Sequence, residues 1–404
     1  MQKQHTIHIA SYDMIEDNGA YIVQLRATGE YFELSAAAAD GLRLLAEGAE
    51  PDAAARRLSA EYPDERIEID EFLADLRAMG FVREPGEPEP VHGGSYAPQA
   101  AAGVWRSAFH PRVAPLYGLV AAANIALFAT VPSLFPVYAD LLPFSSMLAN
   151  TASLLAVSLL LLMLHECGHV LAARSCGIRA RVRFGHRLFI VVLETEMADI
   201  WRVSRARRNM AYLAGLCVDH CLLLGALLTL ACVPELPPAV SGLLGIAVFQ
   251  WVAMTVFQFM IFMKTDLYYV LTNVTGAHHL MDDAAQWWRG RLRLGGRSAA
   301  RTGMNGDARQ ANDGARRLVR VYALVHSAGL LGAAALLACY IAPQLAVVLH
   351  TSVARLFGSA SPAYKLDGAL TLLQLLVMAG LLVFSLRRTY KPPNKDETVG
   401  RPFS

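Results

Sequence analysis

Charged residues are scarce in this sequence, and several common sequence signals are missing from it. Aspartate, glutamate, lysine and arginine make up 17% of the 404 residues, and the net charge is only +2. This balance gives no electrostatic basis for binding nucleic acid. The six cysteines include no CxxC pair, so no disulfide framework is expected. The N-terminal segment has no apolar run, so no cleavable signal peptide is expected either.

Long apolar runs dominate the second part of the chain. Hydrophobic residues make up 54% of the sequence, which is typical of membrane proteins. A bilayer core needs about 20 apolar residues per helix, and six runs are long enough. These runs lie near 113–135, 145–173, 209–233, 240–263, 319–342 and 366–386. We predict a mainly α protein: a polytopic membrane helical bundle of about six spans with a small α+β winged-helix-like N-terminal domain.

Positive charge alternates along the loops between these runs. The stretches 174–208 and 264–318 and the tail after Leu386 are basic, whereas the loops near 136–144 and 234–239 contain no lysine or arginine. Cytoplasmic loops carry the excess of positive charge in membrane proteins. We therefore expect an integral membrane protein with both termini in the cytoplasm. The loop 343–365 is then expected on the opposite side.

The first 84 residues have the pattern of a small soluble domain. Two alternating runs, YIVQL and YFELS, flank a Thr-Gly pair and predict a hairpin. Three helices should follow, the first capped by Ser35, the second opened by Pro51 and the third capped by Asp70 and stopped by Gly80. A final strand completes a winged-helix-like unit.

Composition then divides the rest of the chain. A segment rich in proline, glycine and alanine predicts a linker over residues 85–110. The apolar runs define a membrane domain over residues 111–390. Residues 391–404 are expected to form a cytoplasmic tail.

The second apolar run contains the motif H-E-x-x-H, formed by His165, Glu166 and His169. On a helix the two histidines share a face, so both imidazoles can bind one Zn²⁺ with the glutamate beside them as general base. The motif occurs by chance in soluble helices. Three ionisable groups inside a membrane span, however, are costly without a partner, which favours a metal. The pattern does not distinguish zinc from another divalent metal.

A catalytic zinc usually takes a third protein ligand, and two aspartates are candidates. Asp266 follows the fourth run and Asp367 opens the sixth. The H-E-x-x-H motif ends shortly before the basic segment at Arg174, roughly 8–14 Å from the cytoplasmic boundary at 1.5 Å per residue. Asp266 lies on that side, whereas Asp367 enters from the other. We therefore predict that Asp266 is the third ligand. The alternative is that Asp266 lies at the membrane interface and pairs with Lys264.

Two further features lie close to the motif in the expected topology. Asp219 and His220 lie at a comparable depth in the third run. They are candidates for orienting a ligating histidine, for lining a water path, or for a purely structural pair. The stretch 182–200 predicts strands, with a hairpin as one option. Its edge would either pair with an extended peptide or be packed without a ligand.

These motifs together resemble the site-2 protease family of intramembrane zinc metalloproteases, in particular the peptide zinc metalloprotease branch. The resemblance rests on HECGH at 165–169, the following hairpin, AGLCVD at 214–219 and a distal aspartate. It implies that His165, His169 and Asp266 bind zinc and that Glu166 is the general base, in a bacterial inner (cell) membrane.

The sequence departs from that family around the distal aspartate. Many members have Asn-Pro before the aspartate and glycine after it, whereas Lys264, Thr265 and Leu267 occupy these positions here. Asp367-Gly368 is superficially closer to the family's Leu-Asp-Gly, but the predicted topology argues against it.

The N-terminal domain is similar to the PqqD-like peptide-recognition fold. The similarity rests on the order of elements and on the opening HTIHIASYDMIEDNGAYIVQL. It implies that the domain binds a precursor's leader peptide by adding a strand. DNA binding is disfavoured because acidic residues outnumber basic ones in residues 1–84.

The expected function is therefore cleavage of a peptide or membrane-anchored precursor near the cytoplasmic face, in ribosomal peptide maturation, with zinc as cofactor. Precursor and lipid bilayer are the expected partners. Two alternatives stay open. One is a membrane peptide-binding or export component that retains zinc without hydrolysis. The other is a different zinc-dependent membrane enzyme that acts on lipid or modifies a peptide without hydrolysis.

Overall fold

A computed structural model describes most of the chain and divides it into two compact units, each considered by itself. One unit contains the N-terminal domain, and the other contains most of the apolar helices. The described residues are 7–17, 20–83, 103–187, 190–197, 199–292, 313–358 and 361–389. The predicted fold class is confirmed: the protein is mainly helical, with a small sheet near its N-terminus.

The N-terminal domain combines a three-stranded antiparallel sheet with three helices. Its strands are β1 (His8–Ile9), β2 (Tyr12–Asp17), β3 (Ala20–Leu25), β4 (Tyr31–Leu34) and β5 (Val82–Arg83). Its helices are α1 (Ala36–Ala46), α2 (Pro51–Glu61) and α3 (Ile69–Ala78). The sheet has the order β2-β3-β4, and β1 pairs with β5. Leu25, Leu42, Leu76 and Phe81 are buried in the core that these elements enclose.

The structure corrects two details of the predicted N-terminal domain. The predicted β3–β4 hairpin is present, but β2 adds a third strand, and sequence alternation in YDMIED had not been recognised. Ser35 caps α1 as predicted, since its hydroxyl accepts a hydrogen bond from the Ala38 N–H at 3.2 Å. Asp70 does not cap α3. Glu68 occupies the N-cap position. Asp70 lies in the first turn, where the negative charge of its carboxylate interacts favourably with the positive end of the helix dipole.

The described residues from 103 onward are mainly helical and also form a hairpin. Its first helices are α4 (Gly103–Ala108), α5 (Ala114–Thr130), α6 (Met147–Ser175), α7 (Arg205–Cys232), α8 (Pro238–Gln258) and α9 (Asp266–Thr275). These are followed by α10 (Leu280–Leu292), α11 (Asp313–Leu336), α12 (Ala342–Phe357) and α13 (Pro362–Thr389). Strands β6 (Ala180–Arg187) and β7 (Ile190–Met197) form an antiparallel hairpin between α6 and α7.

Within the described residues, five helices are long and apolar enough to cross a bilayer, which is compatible with an integral membrane protein. They are Pro111–Thr130, Met147–Ser175, Arg205–Cys232, Pro238–Gln258 and Arg316–Phe357. The sixth predicted span lies within α13.

Two predicted boundaries differ from the structure. The loop expected at 343–365 contains helix, because a π-helical turn joins α11 to α12 and the helix continues to Phe357. Pro343 lies directly after this π-helical turn, where the regular hydrogen-bond ladder of the continuous helix is already interrupted and a missing N–H is tolerated. In addition, α4 lies within the predicted linker 85–110, and the rest of that segment up to residue 102 lies outside the described residues.

Small residues bring α6 and α7 close together around the H-E-x-x-H motif. Ala172 and Ala173 of α6 are buried with Ala211 and Ala214 of α7. A Cβ atom on Gly168 would lie 2.8 Å from the Ala214 carbonyl oxygen, so this contact requires glycine. Small residues allow membrane helices to approach closely in this way. The close approach positions α7 to contact both motif histidines.

Candidate metal centre

The three residues of the H-E-x-x-H motif are buried on α6. His165 and His169 are each 3% exposed and Glu166 is 6% exposed. One ligand atom from each of the three residues lies within 4.8 Å of the others, as required for binding a single metal ion. Helical spacing explains this, because residues four apart lie on the same face. The structure therefore contains a group able to hold a metal.

Asp266 lies against the two histidines, at the first residue of α9. Its Oδ2 atom is 3.0 Å from His165 Nε2 and 3.3 Å from His169 Nε2. The two Nε2 atoms are 3.2 Å apart. Ligands of a tetrahedral zinc at bond lengths of about 2.0–2.1 Å are separated by about 3.3 Å. The triangle formed by these three atoms therefore fits one tetrahedral metal ion.

The opposite ring nitrogens of the histidines are held by acceptors on α7. His165 Nδ1 lies 2.6 Å from Asp219 Oδ2, and His169 Nδ1 lies 2.9 Å from the Ala211 carbonyl oxygen. Because a carboxylate and a carbonyl only accept, each Nδ1 is assigned the proton. Both Nε2 lone pairs then face Asp266, which is the tautomer that a metal ligand needs.

Gln258 and Thr265 fix the position of Asp266. The Asp266 N–H donates to Gln258 Oε1 at 3.0 Å, and the Thr265 hydroxyl donates to the Gln258 carbonyl oxygen at 2.7 Å. Lys264 adopts a left-handed conformation, with φ of +53°, which turns the chain into α9. Sequence reasoning missed Gln258. The available signal was a polar glutamine at the end of an otherwise apolar helix.

The charge environment keeps Asp266 ionised. Burial by itself would raise the pKa of this carboxyl group. When the histidines also carry a proton on Nε2, the charge of His169 and the hydrogen bonds from both rings outweigh burial and hold the pKa of Asp266 below its usual value. A carboxylate at this position supplies negative charge beside a bound cation.

Thr195 of β7 holds the carboxylate of Glu166. The Thr195 hydroxyl donates to Glu166 Oε2 at 2.6 Å. The stretch 182–200 thus contains the hairpin that was predicted as one option, and this hairpin lies beside the motif. The β-branched and aromatic content of that stretch indicated strands, but it gave no reason to select Thr195 as a contact of Glu166.

The structure separates the remaining predicted site residues. Asp219 contacts His165, whereas its neighbour His220 lies against Asn124 of α5. The Asn124 amide donates to the His220 carbonyl oxygen at 2.9 Å. His220 is therefore not placed to orient either motif histidine, because successive helical residues point in different directions.

Asp367, the alternative third ligand, lies at the other end of α6. Its carboxylate accepts hydrogen bonds from the Ser146 hydroxyl and from the Leu148 N–H, and it forms an ion pair with Arg355 at 2.6 Å. Ser146 precedes His165 by 19 residues, or about 28 Å of helix. Asp367 thus caps α6 and is not brought to the metal centre.

Gly215 of α7 faces the two imidazoles, and its replacement is a direct test of the close packing. A Cβ atom there would lie 2.5 Å from His165 Nε2 and 2.6 Å from His169 Nε2. We expect Gly215→Ala to lose most of its bound metal, because the methyl group would occupy the space between the ligand atoms. Metal content of the purified protein, measured by inductively coupled plasma mass spectrometry, checks this.

Gly225→Ala provides the matched control on the same helix. A Cβ atom at Gly225 would meet no atom within 4 Å. This variant should bind metal like the parent protein and be slightly more stable, since alanine favours helix over glycine. Equal metal content in both variants would contradict the placement of Gly215.

Comparison with known proteins identifies one part of the chain. Residues 19–82 match the family described as Coenzyme PQQ synthesis protein D (PqqD). No curated protein and no solved structure matches the chain. The match covers β3, β4 and the three helices that follow, so the chain contains a PqqD-like domain. It supports the predicted N-terminal peptide-recognition domain, and such a domain implies involvement in ribosomal peptide maturation. None of the comparisons supports the resemblance of the membrane region to site-2 proteases.

Proposed function

We propose that this protein is a zinc-dependent intramembrane endopeptidase that cleaves a precursor in the maturation of a ribosomally made peptide. The observation that carries the proposal is the triangle of His165 Nε2, His169 Nε2 and Asp266 Oδ2, with distances of 3.0–3.3 Å. Glu166 lies beside this triangle on the same helix. This combination of three ligands and an adjacent carboxylate is what metal-assisted hydrolysis requires.

The metal-binding residues fit zinc in donor type and spacing. His165, His169 and Asp266 would hold the ion, and Asp219 with the Ala211 carbonyl would keep the imidazoles oriented. When bound there, zinc would activate a water molecule and polarise the scissile carbonyl.

Glu166 is the proposed proton carrier. Its carboxylate would accept a proton from the attacking water and then donate it to the leaving amine. The Thr195 hydroxyl, 2.6 Å from Glu166 Oε2, would keep the carboxylate in one orientation during this exchange. A pure binding protein has no need of a carboxylate at this place, so Glu166 favours hydrolysis over the export alternative.

The PqqD-like domain is the proposed capture module. Tethering a precursor to the same chain raises its effective concentration at the metal centre. A helical precursor segment would also have to unwind before cleavage, because its carbonyl groups are otherwise hydrogen-bonded within the helix. Positive charge in the segments between spans supports the proposal that the cut lies near the cytoplasmic face.

The test of this function is the mass of the products. The purified full-length protein in lipid nanodiscs would be incubated with candidate short precursor peptides, and the products read by intact mass spectrometry. Hydrolysis predicts two fragments whose summed mass exceeds that of the precursor by one water. Tight binding of an uncut precursor would instead support the binding or export alternative, and a changed lipid mass would support a lipid-directed enzyme.

Thr195 gives a more specific prediction about the proposed base. Thr195→Val keeps the shape of the side chain but removes the hydroxyl that donates to Glu166. We expect the turnover number to fall about 10-fold, because one charge-assisted hydrogen bond contributes about 1.5 kcal/mol. The KM should change little, since Thr195 contacts the base and no substrate contact is assigned to it.

Thr195→Ser is the matched control, because serine restores the hydroxyl. It should recover most of the turnover, and both variants should retain the bound metal of the parent protein. A turnover in Thr195→Val equal to that of the parent would show that the hydroxyl does not position Glu166. Loss of metal in Thr195→Val would instead assign it a structural role.

A further inference from the structure

One face of α11 packs against the turn that joins α8 to α9. From Tyr322 onward, this helix belongs to the same compact unit as the metal centre. Tyr322, His326 and Gly329 are spaced i, i+4 and i+7, so they share one face of the helix. Tyr322 is buried, whereas Leu324 and Leu331 on the opposite face are exposed. The face that contains Tyr322 is therefore the one that packs against the protein.

Tyr322 contacts the chain on both sides of the third ligand. Its hydroxyl donates a hydrogen bond to the Ile261 carbonyl oxygen at 3.3 Å. Its ring lies against Tyr268 in α9, with ring centroids 5.9 Å apart. Ile261 precedes Asp266 by five residues, and Tyr268 follows it by two. The helix therefore holds the segment from which the third ligand projects.

The closest approach is between Gly329 and Phe262, which lies in the middle of the 3₁₀ turn Ile261–Met263. A Cβ atom on Gly329 would lie 2.2 Å from Phe262 Cδ1, 2.5 Å from Cε1 and 2.6 Å from Cγ. Rotation of the ring about the Cβ–Cγ bond leaves Cγ in place. Such a Cβ atom could therefore be accommodated only if the whole side chain of Phe262 moved. Glycine at position 329 is required for the observed position of Phe262.

A shift of Phe262 would reach the metal centre through a short and tightly packed segment. Only three residues separate Phe262 from Asp266. Met263 and Thr265 are buried, and Lys264 adopts the left-handed conformation that turns the chain into α9. Close-packed segments transmit a displacement instead of absorbing it. A metal site tolerates deviations of only about 0.2 Å in its bond lengths, so even a small shift would matter.

We propose that α11 sets the affinity of the metal centre by clamping this turn, although none of the three proposed ligands lies on it. Gly329 and Phe262 are the positioning residues of this clamp. The inference rests on the proposed function, in that the motif histidines and Asp266 bind a metal. A second helix thus holds the ligand turn, in addition to Gln258 of α8.

The zinc affinity of the purified full-length protein tests the clamp, and competition with a zinc-binding dye measures it. Gly329→Ala should weaken zinc binding about 10-fold or more, because partners that orient a ligand contribute about 10–100-fold to affinity. Gly332→Ala is the matched control on the same helix, since a Cβ atom there would meet no atom within 4 Å. This control should bind zinc like the parent protein.

A second substitution separates displacement of the turn from general damage to the fold. Phe262→Ala removes all three atoms that the new methyl group would meet. In this background, Gly329→Ala should change zinc affinity by less than about 2-fold, because the two substitutions act through one contact. A loss of the same size in both backgrounds would overturn the proposal, since Gly329 would then act through another contact.

Cobalt(II) in place of zinc reports on the ligands themselves, because its visible absorption depends on their number and geometry. At saturating cobalt, Gly329→Ala should show a changed spectrum, and Gly332→Ala should show that of the parent protein. Tight zinc binding and an unchanged cobalt spectrum in Gly329→Ala would overturn the clamp alone. A parent protein that binds neither zinc nor cobalt would overturn the proposed function, and this inference with it.

Discussion

Glu166→Gln should abolish cleavage of a precursor while leaving the metal in place. Glutamine has nearly the same shape as glutamate, and its side-chain oxygen can still accept the hydrogen bond from Thr195. It cannot accept a proton from water. Proton transfer by a positioned side chain contributes about 10²–10⁴-fold to rate, so the turnover number should fall by at least that factor. Product masses and metal content, measured on the same preparation, check both parts.

The control for Glu166→Gln makes the same chemical change on the adjacent hairpin. Glu196 is exposed and pairs with Arg183 at 3.1 Å. Glu196→Gln should cleave normally, because surface ion pairs contribute little to stability and Glu196 does not contact the metal centre. Full activity in Glu166→Gln would remove this residue as the base. Loss of metal in Glu166→Gln would mean that Glu166 acts as a ligand.

Asp266→Ala should lose the metal, because the change removes one of three ligand atoms. Even the partners that only orient a ligand contribute about 10–100-fold to metal affinity, so loss of a ligand should weaken affinity by more than about 100-fold. His165 and His169 alone, whose Nε2 atoms are 3.2 Å apart, would keep a weak site. Competition with a zinc-binding dye measures the change.

Asp367→Ala is the contrasting variant, since Asp367 was the alternative ligand. It should bind zinc as tightly as the parent protein. Its cost should appear in stability, because Asp367 caps α6 through Leu148 and pairs with Arg355. Loss of these contacts should cost about 1–3 kcal/mol. Zinc affinity lowered by Asp367→Ala and unaffected by Asp266→Ala would reverse the assignment of the third ligand.

Local patterns were sufficient for the elements of the fold and for the motif on α6. Apolar runs of bilayer length predicted the helices, since burial in lipid demands apolar side chains over about 20 residues. Ser35 was recognisable as a helix cap because its role depends only on its immediate neighbours. Asp70 was wrongly assigned as a cap, because several acidic residues near the start of a helix are equally good candidates for the cap in the sequence. The extension of helix to Phe357 was missed because the predicted apolar run ended near residue 342 and the following residues were assigned to a loop.

Contacts between residues far apart in the sequence were much harder to predict. Gln258, Thr195 and Gly215 lie on three different elements, and each acts on the motif through a contact that only the packed structure forms. Asp219 and His220 were equivalent candidates in sequence. The rotation of about 100° between successive helical residues separates them, so that one contacts His165 and the other contacts Asn124.

The sequence by itself determined the class of the fold, the PqqD-like domain and the H-E-x-x-H spacing, because these depend on composition and on short-range helical periodicity. Tertiary structure decided which aspartate lies beside the two histidines. The alternation of basic loops favoured Asp266 over Asp367, but the contact itself depends on the turn at Lys264, which brings Asp266 to the motif, and on the length of α6, which keeps Asp367 about 28 Å away. A metal-binding geometry is a property of distances between helices, and these distances are fixed only when the small residues of α6 and α7 pack together.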